Sequence, residues 1–262
     1  MFAPKTITSE IIERLNALSV AGGLFNEMEK ARMKRSIEAV KSQDFAKGMM
    51  IYGVFYALLG DEKNSLSSHD ASLRVAPSNS VYLRNYAVSL KTFGYLTQAF
   101  EAYKKVMEVS PGDKGALLKM GELVLCVGQL DSYLHTVERY RKATQDDSIM
   151  GEFFVEVAQG VKELIESVGV PERALSYAYK KVESICKLHE VRPAGCRVSQ
   201  LDSEGHEYLF LEVKVHCHWE LISEMNSELL EAVAEDLDFE FWNKVVHSFV
   251  YTPKVEKEFA SA

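Results

Sequence analysis

The side chains with the greatest capacity for chemistry gather late in this sequence, at Cys186, His189, Cys196, His216, Cys217 and His218. Thiolates and imidazoles are zinc ligands, and four of them in tetrahedral reach would make a structural or catalytic centre. Helical spacing places Cys186 and His189 on one face, and strand alternation does the same for His216 and His218, so four ligands can in principle converge. The same alternation turns Cys217 to the opposite side, into a buried row with Val213 and Val215. Packing or solvent exposure is therefore the first expectation for these groups, and neither a metal nor any other cofactor is assigned. Glu220, Glu224, Glu228 and Glu231 recur at helical spacing and read as a solvated face rather than as paired catalytic carboxylates. A Gly-rich phosphate loop, a Gly-x-Ser-x-Gly elbow and a His-Glu-x-x-His helix are all missing. No catalytic residue is assigned, and an enzyme is not expected.

The elements that hold these residues follow from periodicity. Cys196-Arg197-Val198 and Tyr208 to Cys217 alternate apolar with polar residues around Asp202-Ser203-Glu204-Gly205, which predicts a β-hairpin. Trp219 to about Glu235 returns to helical spacing, and Val245 to Tyr251 is strand-like. A helix from Glu172 to about His189, buried through Ala174, Leu175, Ala178, Val182 and Ile185, precedes them, after a break at Gly169-Val170-Pro171. Residues 169–262 thus read as a small α+β domain of order helix-strand-strand-helix-strand, a three-stranded sheet covered by helices. Upstream, Asp147-Ser148 is placed to cap a helix running to about Val168, with Phe153, Phe154, Val157, Val161, Leu164 and Ile165 on its apolar stripe.

Further upstream the chain repeats itself. Gly60, Gly94 and Gly128 are 34 residues apart, as are Pro77 and Pro111, with Gln145 where a third proline would fall. Seven residues before each glycine stands a small residue, Gly53, Ala87 or Gly121. A small residue lets two helices approach, the glycine turns the chain between them, and the proline stops the second. Each unit is a helical hairpin that cannot bury its apolar stripe alone, so neighbours must stack. In these offsets the sequence resembles the tetratricopeptide repeat family. The middle copy carries the signature in order, with Tyr86-Ala87, Leu90, Gly94, Ala99, Tyr103, Val106 and Pro111. The first copy has Ser65 and His69 in place of the usual Ala and aromatic residue, and the third has Tyr133 at the small position, so its second helix should pack differently.

The resemblance implies a superhelix over residues 46–168, three repeats and a capping helix, whose concave wall is built by the first helix of each repeat. Carried onto this chain, that wall includes Met50, Val54 and Leu58, then Arg84, Val88 and Lys91, then Leu118, Glu122 and Leu125. The chaperone-tail clamp of this family uses Lys and Asn where Met50 and Val54 stand, so an apolar peptide, extended or amphipathic, is the ligand expected. Residues 1–45 read as N-terminal helices: a short one from Ser9 through Ile11, Ile12, Leu15 and Leu18, closed at Ala21-Gly22-Gly23, and a second from Leu24 to about Ser42. Lys30, Arg32, Lys34 and Arg35 on the latter are interleaved with Glu27, Glu29 and Glu38 and form a solvated face.

Charge supports a protein partner over a nucleic acid. The formal net charge is -8, and residues 190–262 hold 15 acidic side chains against 6 basic, the opposite of what a phosphate backbone requires. No run of about 18 apolar residues and no leader pattern is present, so no membrane contact is expected and a cytoplasmic location is. The fold class expected is mainly α, a repeat superhelix followed by the α+β domain. The leading functional expectation is a scaffold or adaptor binding a partner polypeptide in an apolar groove. Two others stay open: a dedicated chaperone for a secreted client, and a zinc-dependent or enzymatic C-terminal domain that the repeats target.

Overall fold

In the computed structural model, residues 11, 13–15, 26–203, 206–236, 241 and 243–253 are described. The expected helix start at Ser9, its close at Gly22-Gly23 and the hairpin tip at Glu204-Gly205 lie outside them. The chain divides into two compact units, the first ending at Leu117 and the second beginning at Leu118.

The first unit is helical. Asn26 opens α1 (Glu27–Gln43) with a capping box, its side chain taking the Glu29 N–H while the Glu29 carboxylate takes the Asn26 N–H. Met33, Ile37 and Val40 form the buried stripe of α1, which packs on α2 (Phe45–Leu58). That second helix is apolar nearly all round, because it packs against α1, α3 (Glu62–Val75) and α4 (Ser80–Thr92) at once. With α4 paired to α5 (Leu96–Val109), helix pairs follow one another as in a helical repeat.

The turn glycines explain the 34-residue step. Gly60, Gly94 and Gly128 have φ of 74°, 81° and 61°, a left-handed conformation that other residues adopt only at a cost. Asn79 and Asp113, also 34 apart, each accept backbone N–H bonds at the start of the next helix, a repeat of capping chemistry on top of the repeat of turns.

Small residues repeat for a different reason. A Cβ at Gly53 would stand 2.5 Å from the His69 ring, and one at Gly121 would stand 2.5 Å from the Tyr133 hydroxyl. In the middle copy both facing positions, Ala87 and Ala99, are small and fully buried. In the third copy Tyr133 stands where the middle copy has Ala99, and in the first the His69 ring lies against helix α2; at each place the facing residue of the first helix is glycine, which keeps the interior close-packed. Helix α3 buries polar groups, Ser65, Ser68, His69 and Ser72, and each makes a hydrogen bond, while His69 Nδ1 is left without one among the described residues. Ser65 and Ser72 donate to the carbonyls of Gly53 and Ala46, both at 2.7 Å, and His69 Nε2 lies 2.8 Å from Ser89 Oγ.

In the second unit, α6 (Lys114–Val127), which begins just before the division, meets α7 (Leu130–Thr144) where Gly121 faces Tyr133. Gln145 then takes the left-handed conformation at φ 58° and closes α7. Proline, fixed near φ -65°, cannot stand there, which is why the third copy lacks one. The segment after it corrects an expected boundary: Asp146 caps a short 3-10 turn over Asp147–Gly151, and α8 (Phe153–Val168) starts only afterwards. The buried stripe of α8 is Val155, Ala158, Val161, Ile165 and Val168, while Phe153 is left exposed. Helix α8 packs on α7 and also touches the sheet that follows.

After α9 (Glu172–Leu188) come β1 (Pro193–Ser203), β2 (His206–Val215), α10 (Trp219–Ala234) and β3 (Val245–Tyr251), the expected helix-strand-strand-helix-strand order. The sheet order is β1-β2-β3, with β1 antiparallel and β3 parallel to β2. Leu209, Leu211, Val213 and Val215 are wholly buried, and Cys196 and Phe249 flank Val213 on the same face. At the outer edge of β3, the Asn226 amide of α10 donates to the Phe249 carbonyl at 3.0 Å and accepts its N–H at 2.7 Å, capping an edge that would otherwise be open to another strand.

Candidate functional site

The nine residues assigned to the concave wall fall in both units. In the first, Met50 is only 4% exposed and packs in a core cluster with Ile11, Leu15, Met33 and Ile37. It is core, not surface, because side chains from before α2 cover it. Val54 and Leu58 are partly buried and pack against the same cluster.

Helix α4 is different. Val88 is half exposed, as is Val81 one heptad earlier, and Arg84 lies on the same stripe between them. Arg84 forms an ion pair with Asp113, the residue that caps α6, so its guanidinium is held in place. Lys91, one turn beyond Val88, is partly buried. Valine is a modest helix former, and two valines on one exposed stripe supply little to α4 itself. In the second unit Leu118, Glu122 and Leu125 lie on α6, all partly buried, with Glu122 paired to Lys119 at 2.5 Å. Val81 belongs to the same wall that the repeat resemblance implies, and it is exposed to the same degree as Val88.

Among the described residues, the late cysteines and histidines do not gather into one metal-ligand group. Cys186 is buried in α9, and burial pushes its thiol up to about 12. Cys196 lies beside Cys126, whose neighbouring thiol, together with burial, holds it well above the usual range. His216 Nδ1 lies 2.7 Å from the Thr252 carbonyl, and His218 occupies the N-cap position of α10. His189 instead turns to the acidic helix: its Nε2 lies 2.7 Å from Glu228 Oε2, and one ligand atom from each of His189, Glu224 and Glu228 lies within 4.8 Å of the others. The sequence placed these three in two unrelated groups, because the packing of α9 on α10 is a tertiary event.

No protein-family model and no curated protein matches this chain. Among the described residues, no helix is long and apolar enough to cross a membrane.

Proposed function

We propose that this chain is a tetratricopeptide-type binding protein that holds a partner polypeptide against the exposed stripe of α4. The 34-residue step, the left-handed glycines that recur with it and the consecutive packing of helix pairs support that family reading. The observation that carries the binding site is the pair of exposed valines, Val81 and Val88, with the tethered Arg84 between them. Seven residues of helix separate the valines by about 10 Å. A polyproline II segment, at three residues per turn and about 3.1 Å each, brings side chains at i and i+3 to one face at roughly that distance, and a helical segment does so at i and i+7, so the ligand presents two apolar side chains at one of those spacings. Its role is that of an adaptor rather than a catalyst.

The test is affinity capture with the full chain, Val81→Glu/Val88→Glu compared with Val75→Glu/Val109→Glu. Val75 and Val109, 61% and 42% exposed, bracket the exposure of Val81 and Val88 but stand at the ends of α3 and α5. Capture of the same polypeptides by the wild type and the second variant, and their loss from the first, is the expected result. Identical capture by all three proteins would remove α4 as the site.

A further inference from the structure

We infer that His189, Glu224 and Glu228 form a binding site for a first-row divalent cation of the zinc type, independent of the peptide-binding surface. Two elements build it. His189 stands at the C-terminal cap of α9, and Glu224 and Glu228 stand one turn apart on α10. A ligand atom from each lies within 4.8 Å of the other two. In a tetrahedral zinc site, with metal-ligand distances near 2.1 Å, ligand atoms stand about 3.3 Å apart. The 2.7 Å between His189 Nε2 and Glu228 Oε2 therefore opens slightly, and Glu224, exposed and unconstrained by packing, swings in to close the rest.

The electrostatics point the same way. Two carboxylates at i,i+4 repel one another, and Glu220 and Glu231 add charge of the same sign along α10. Among the described residues no ion pair holds Glu224, and a cation is the partner that relieves the repulsion of Glu224 and Glu228. An imidazole in the set selects a borderline metal over magnesium and calcium, which prefer all-oxygen sites. Three protein ligands leave a coordination position open on the solvent side, where Glu224 is exposed. Bound there, the ion ties the end of α9 to α10 and stabilises the second unit by mass action.

The four cysteines are free, so a zinc signal alone does not locate the ion. Untagged full-length protein stripped with chelator is titrated calorimetrically with zinc chloride, then with magnesium chloride, and its cobalt(II) spectrum is recorded. The site predicts one zinc per chain, no saturable magnesium binding, a raised Tm with zinc, and a cobalt spectrum without thiolate charge-transfer bands. His189→Gln, Glu224→Gln and Glu228→Gln each weaken zinc at least tenfold. Glu224 is exposed, so its substitution leaves folding intact and its result stands alone. Absence of saturable zinc binding, unchanged affinity in Glu224→Gln, or a thiolate band with cobalt would each overturn the assignment.

Discussion

His69 shows how one residue ties local packing to solution behaviour. Buried against Gly53 and bonded to Ser89, it is kept neutral, and burial lowers its pKa from 6.5 to about 4. The unfolded chain binds this proton more readily than the folded one, so protonation favours unfolding. The contribution of a neutral His69 is fully present above pH 6.5 and is lost as pH falls from 6.5 to about 4, reaching about 3 kcal/mol. Urea unfolding at a series of pH values should show this decline in the wild type and a flatter profile in His69→Gln. The sequence revealed that His69 stands where the repeat expects an aromatic ring, but not that Gly53 makes room for it. Met50 carries the complementary lesson: its position in the repeat was legible, its burial was not, because Ile11 and Leu15, which share its core cluster, are remote in sequence.

At the scale of elements, most helix and strand positions could be read because the signals are local. Alternation from Tyr208 onward and from Val245 to Tyr251 needs no knowledge of the fold, and both segments form strands, but β2 ends at Val215, so Cys217 falls outside the buried row expected for it with Val213 and Val215. The parallel pairing of β3 with β2 was not readable, since it depends on where α10 returns the chain. Helix α3 was hard to read as a core element because its buried face is made of serine and histidine. The end of α7 gives a prediction of its own. Gln145 sits at φ 58°, and its N–H donates to the Arg141 carbonyl at 2.8 Å. Gln145→Gly relieves the left-handed strain and should raise stability by about 1 kcal/mol in thermal unfolding. Gln145→Pro, which restores the residue that the other two copies have, should cost about 3 kcal/mol or more, because it forces φ and removes the bond.

At the scale of the whole molecule, one chain carries two kinds of construction. A helical array is specified by a constant sequence step, and an α+β unit by changes of period, so the first was legible as a resemblance and the second as an order of elements. Function was less legible than fold. Wall positions can be copied from the repeat, but exposure is not in the sequence; Val81 and Val88, on either side of Arg84, are exposed while Met50 is buried, and the proposed binding surface rests on that difference. The most direct test places a photoreactive benzophenone side chain at position 88 of the full chain, and in a second protein at position 105, an exposed site on α5. A binding surface on α4 predicts a discrete crosslinked polypeptide from position 88, competed away by excess unmodified protein, and none from position 105. No adduct at 88, or the same adducts from both positions, would contradict it.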